Sequence, residues 1–207
     1  MTERWKWGVI ALAVGLVAVL FLSPQAPHLR AEPRDGSVRP PRTILLIRHA
    51  EKPPDIAVSE LLSPRGEERA HELHRLFEPS GGRPAVLPRP DFLFAASVSK
   101  HSRRPLETLA PLAEVLHLRV HDEFSKDDYE GLAKELLKMP TYSGKTVLVC
   151  WHHSTLPLLA RALGVRSPPD EWHGSAFDRV WRIDYDEAGK ATLNRKPQNL
   201  LPGDRKK

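Results

Sequence analysis

Beyond residue 42 the chain alternates between short apolar runs and stretches whose apolar residues recur at helical spacing. "TILLI" (43–47) is a continuous apolar run of strand length, as expected of a strand covered on both faces. "SPRGEERAHELHRLF" (63–77) follows with Ser63 as N-cap, Pro64 at the first helical position and Ala70, Leu73, Leu76 and Phe77 on one side, which predicts an amphipathic helix. The Pro- and Gly-rich 78–90 is a loop. "DFLFAAS" (91–97) predicts a second strand, and 103–118 a helix presenting Leu106, Leu109, Leu112, Ala113 and Leu116 to the core. "RVHDEF" (119–124) is a short third strand or extended loop; 127–139 is a helix with an acidic first turn, ended by Pro140. "KTVLVCWHH" (145–153) repeats the opening design, and 155–164 is a helix stopped by Gly164. The last alternating stretch, 179–194, turns at 187–190 and predicts a terminal β-hairpin. The alternation as a whole predicts an α/β fold, a three-layer sandwich with a mostly parallel central sheet and helices on both faces.

Residues 1–42 do not share this pattern. Arg4 and Lys6 precede an uncharged run, 7–22, closed by Pro24, so residues 1–23 read as a signal anchor or a signal peptide. Pro27 follows Ala26 where a small-residue cleavage site would have to act, which favours a retained anchor and makes the membrane an expected partner. Residues 24–42 are a Pro- and Arg-rich linker, 43–194 the folded domain and 195–207 a basic tail. The domain is then expected on the extracytoplasmic side, tethered or released.

The formal net charge of +5 changes the picture little once it is divided along the chain. Residues 1–42 hold six Lys/Arg against three Asp/Glu and 195–207 five against one, which leaves 20 against 22 in between. A near-neutral domain with no recognisable nucleic-acid motif excludes nucleic acid as a partner. The single cysteine, Cys150, lies inside an apolar run and reads as a small buried hydrophobe.

What stands at the strand ends carries the chemistry. Arg48 and His49 close the first strand; Ser97, Ser99, His101, Arg103 and Arg104 follow the second; His152 and His153 close the strand at 145–151. In an open α/β sheet these positions line the ligand crevice. Imidazoles and guanidiniums meeting at one point repel unless an anion sits among them, and phosphate matches the planar donors of Arg. A neutral imidazole in such a cage is able to accept a phosphoryl group.

Four segments, "LLIRHAEKP", "LLSPRGEERA", "RPLETLAPLAEVL" and "VLVCWHHSTLPLLARALG", together resemble the histidine phosphatase superfamily, also called phosphoglycerate-mutase-like, over about residues 43–164. The resemblance implies His49 as the phosphate-accepting nucleophile and Arg48 as a phosphate ligand. It implies Arg104 as the second phosphate-binding arginine, counted from Thr108, with Arg103 as the neighbouring choice. It implies His152 as the second histidine, with His153 where the family usually has glycine. Glu123 or Asp122 corresponds to the segment from which some branches draw a general acid, while phosphohistidine-specific members manage without one. Ala50, Glu51 and Lys52 depart from the commoner family pattern, in which Gly, Thr and Asn help to hold phosphate.

The activity implied is hydrolysis of a phosphomonoester or phosphoamidate, with a phosphorylated small molecule or phosphoprotein as substrate and no metal or organic cofactor. Two other classes remain beside it. A membrane-tethered phosphate-binding module without turnover would keep the cations and lose the acid; a mutase would need a large insertion, and only 37 residues separate Thr108 from Thr146. A zinc site at His49, His152 and His153 is disfavoured, because two arginines beside a dication are costly and no carboxylate or thiol completes the set.

Overall fold

The computed structural model describes residues 38–54, 60–79 and 84–204. The expected anchor at 1–23 and most of the linker lie outside the described residues, among which no helix is long and apolar enough to cross a membrane.

Six strands form one sheet: β1 (Thr43–Arg48), β2 (Phe92–Ala95), β3 (Val120–His121), β4 (Thr146–Trp151), β5 (Arg179–Tyr185) and β6 (Ala191–Pro197). Their spatial order is β3-β2-β4-β1-β5-β6. β4 pairs in parallel with both β1 and β2, β3 is parallel to β2, and β5 and β6 add an antiparallel hairpin beside β1. The helices are α1 (Pro64–Glu72), α2 (Arg104–Leu116), α3 (Tyr129–Lys138) and α4 (Leu156–Ala162).

Side-chain alternation divides the core into two layers. Ile44, Leu46, Val147, Val149 and Trp151 pack with Leu132, Leu136, Leu156 and Leu159 of α3 and α4. Leu45, Ile47, Leu148 and Cys150 pack with Leu73, Leu76, Leu109 and Leu112 on the opposite side. This is the expected three-layer sandwich, and it explains why β1 and β4 read as unbroken apolar runs.

Two boundaries differ from expectation. The first helix ends at Glu72 and tightens into a 3-10 turn over Leu73–Leu76, where Leu73 and Leu76 still bury completely. The domain does not stop at 194: Arg195 and Lys196 belong to β6, and the segment expected as a basic tail folds back so that Leu200 and Leu201 enter the core. Arg65 donates to the Pro202 carbonyl at 2.7 Å, securing this return against α1.

Candidate active site

Because β1 and β4 are parallel neighbours with Arg48 opposite Trp151, residues 49 and 152 leave the sheet at the same edge. The His49 amide donates to the Trp151 carbonyl at 3.1 Å. The imidazole centroids stand 5.4 Å apart at 68°. His49 Nδ1–H donates to the Ala50 carbonyl at 2.7 Å, which places the lone pair on Nε2.

Arg48 is in phase with Ile44 and Leu46, so its side chain runs into the layer of α3 and α4 and is 1% exposed. Its guanidinium carbon lies 3.8 Å from the centroid of Phe177, whose ring also sits 6.1 Å from that of His49. Nη1 donates to the Gly174 carbonyl, while Nε is buried with no hydrogen-bond partner among the described residues. Arg104 opens α2 and is buried. The Thr108 hydroxyl donates to the Arg104 carbonyl at 2.7 Å and accepts the Ala50 amide at 2.9 Å. One hydroxyl thereby ties the start of α2 to the loop beyond His49.

The electrostatics report the same convergence. Burial, then Arg104, pulls Arg48 down to about 10. Arg104 is also lowered, chiefly by burial. Burial holds His49 well below the ordinary imidazole range against its bond to the Ala50 carbonyl, and Arg48, His152 and Arg104 push the same way. His152 falls to about 4 through burial, followed by Arg104, Lys126, His153 and Arg48. His153 is lowered by burial, Arg48 and Lys52. Among the described residues every charged group acting on the two central imidazoles is a cation or another imidazole, so at neutral pH both rings are neutral inside a positive field.

The other candidates separate. Arg103 is exposed and contributes its amide to the Glu60 carbonyl at 3.1 Å, so Arg104 is the arginine that meets Arg48. His153 lies half-buried on the side of Lys52. Glu123 is exposed and pairs with Arg119 at 3.0 Å and His121 at 3.4 Å, with Asp122 half-buried beside it; neither carboxylate acts on the imidazole pair. Glu51 turns away from the crevice to Arg69 on α1. Among the described residues no group of three or more His, Cys, Asp or Glu is arranged to hold a metal.

Sequence reasoning missed Gly174 and Phe177, which form one wall of the site. They belong to a tight turn in which the Ala176 amide donates to the His173 carbonyl at 2.9 Å and Trp172 Nε1 donates to the Ala176 carbonyl at 2.7 Å. A groove of about 510 Å³ behind this turn, floored by Trp172 and Trp181, holds none of the clustered cations. Chemistry rather than volume therefore locates the site.

No family model and no curated protein matches the sequence. Solved structures similar to the chain include the protein histidine phosphatase SixA complexed with tungstate, at 16% identity and a TM-score of 0.48, covering 75% of this chain and 97% of that one. A protein described as an α-ribazole-5′-P phosphatase from Escherichia coli K-12 matches at 16% identity and TM-score 0.48, over 77% and 99%. A third, named mycobacterial hydrolase 1, matches at 12% and 0.48, over 74% and 96%.

Proposed function

We propose that the chain is a phosphatase of the histidine phosphatase type, hydrolysing a phosphomonoester or phosphoamidate through a phosphohistidine at His49. The observation that carries this reading is the His49 tautomer: with Nδ1–H committed to the Ala50 carbonyl, Nε2 is a free base on a ring whose centroid lies 5.4 Å from that of His152. Nε2 attacks phosphorus as the P–O or P–N bond to the leaving group breaks. Arg48 and Arg104 neutralise the phosphoryl oxygens, and His152 stabilises the charge that develops on them. Water then attacks phosphorus, the P–N bond to His49 breaks, and inorganic phosphate departs.

Among the described residues no carboxylate acts on the imidazole pair, which favours substrates whose leaving group needs little help from an acid, a phosphoamidate above all. The short span from α2 to β4, filled by β3 and α3, favours hydrolysis over mutase chemistry. An N-terminal anchor or export signal would present the enzyme outside the cytoplasm; carbonate extraction of membranes from cells expressing the full chain tests this.

Release of phosphate from an aryl phosphate is the primary test. The wild-type chain is expected to turn over and to trap an acid-labile phosphoenzyme, and His49→Ala to lose activity by about 10³-fold or more. Equal activity in His49→Ala would remove His49 as the phosphoryl acceptor, and binding of phosphate without turnover in the wild type would replace the enzyme with a binding module.

A further inference from the structure

The residues just beyond the nucleophile are held by a second buried charge cluster that the proposed chemistry does not use. Arg69 of α1 is 2% exposed, and all of its N–H donors are engaged. Nε and Nη2 grip the Glu51 carboxylate at 2.7–3.1 Å; Nη1 and Nη2 grip Asp204 at 2.9 and 2.7 Å; Nη1 also reaches Gln198 Oε1 at 3.1 Å. Glu51 stands two residues after His49, and its carbonyl accepts the Ser63 amide at 3.0 Å. Gln198 extends the cluster to the other wall of the site. Its amide donates to the Asp178 carbonyl at 2.9 Å and its side-chain nitrogen to the Arg179 carbonyl at 3.2 Å, directly after Phe177.

The cluster thus joins two loop segments on either side of the imidazole pair. On one side is the 50–51 peptide, whose carbonyl sets the His49 tautomer; on the other is the chain carrying the ring that covers Arg48 and His49. Both are referred to one rigid guanidinium, and the piece completing its coordination is the C-terminal return at 198–204. Asp204 itself is anchored by the Leu200 and Leu201 amides at 2.9 and 3.1 Å.

We infer that Arg69, Gln198 and Asp204 are positioning residues for catalysis, and that the C-terminal return is a working part of the active site because it aligns the nucleophile loop with the aromatic wall. The kinetic half of this inference rests on the phosphatase reading; the tautomer half does not. Among the described residues the charged and titratable groups acting on His49 are Arg48 from β1, His152 from the end of β4 and Arg104 from α2, with Phe177 as the apolar neighbour.

The test compares Asp204→Asn and Gln198→Ala with the conservative Arg69→Lys, all in the full chain and checked for a cooperative melt. Turnover of an aryl phosphate and imidazole nitrogen NMR of nitrogen-15-labelled histidine are read together. In Asp204→Asn and Gln198→Ala, kcat is expected to fall about 10- to 100-fold with KM changed little, as for a misplaced rather than missing group. His49 is expected to pass from one tautomer to a mixture and to titrate nearer the ordinary imidazole value, with Arg69→Lys intermediate. If Asp204→Asn does not fold, Gln198→Ala, which removes no charge, decides alone. Folded variants that keep both kcat and a single His49 tautomer would overturn the inference. A wild type that releases no phosphate would defeat the phosphatase reading and leave the tautomer comparison to decide this one.

Discussion

Arg48 and Arg69 are two buried guanidiniums, one at the end of β1 and one in the middle of α1, and the protein treats them in opposite ways. Arg69 meets two carboxylates and an amide with all of its donors, and these partners outweigh burial to raise its pKa. Asp204, opposed by burial but bound by Arg69 and two backbone amides, drops to about 2. Arg48 meets a carbonyl and an aromatic ring, its Nε is left over, and its pKa falls to about 10. No carboxylate among the described residues forms an ion pair with it. A buried cation with all its donors paired holds structure together; one with a donor left over, beside a second arginine and two neutral imidazoles, has the electrostatics that the proposed phosphate site requires.

The sharpest way to break this contrast is to remove each cation with an apolar residue of similar length. Arg69→Met strands Glu51 and Asp204 in the interior and is expected to lower stability by about 3–5 kcal/mol. Arg48→Met removes an uncompensated charge, so stability measured by denaturant melts is expected to hold or rise while phosphate binding is lost. Equal destabilisation by both would show that Arg48 is as much a structural residue as Arg69.

The pH dependence sharpens it further. His49 and His152 are held below the ordinary imidazole value of 6.5, the latter at about 4, so the unfolded chain binds more protons in that window. Stability should therefore be full above pH 6.5 and decline as pH falls toward 4. The contribution of Asp204 runs between 3.8 and about 2, present above that window and lost through it. Acid unfolding should begin in the imidazole range, well before the paired cluster lets go. Inorganic phosphate or tungstate at 100 times its dissociation constant should add about 2.7 kcal/mol at neutral pH. Its benefit should grow as pH falls, because a bound anion favours protonated rings. A phosphate effect independent of pH would argue that the anion sits elsewhere.

A smaller effect tests the seam between the two regions. A Cβ on Gly66 would stand 2.3 Å from the Glu51 carbonyl, so Gly66→Ala must push α1 away from the nucleophile loop. A loss of about 1–3 kcal/mol in thermal or denaturant melts is expected.

Much of this was readable in the chain, for physical reasons that differ by element. β1 and β4 are buried on both faces, so unbroken apolar runs marked them, and the polar residues just past them marked the crevice. β6 is an edge strand with most of its residues exposed, so the alternation that predicted the hairpin faded before its end and the domain was expected to stop at 194 rather than run on past Pro197. The neighbour relation of β1 and β4 was invisible because a parallel pairing across about a hundred residues leaves no local trace. Gly174 and Phe177 were missed because a turn held by carbonyls and one ring has no period. Glu51 stood in plain view two residues after His49, but Asp204, the other carboxylate on their shared partner Arg69, lies more than 150 residues away.

The gap between the two rings, 5.4 Å, is close to the ordinary separation of adjacent strands, about 4.8 Å. Any sheet that sets one histidine just past each of two neighbouring parallel strands inherits a pincer of that width without further tuning. Here the guanidiniums of Arg48 and Arg104 add charge around a spacing that the backbone hydrogen bonds of the sheet already set.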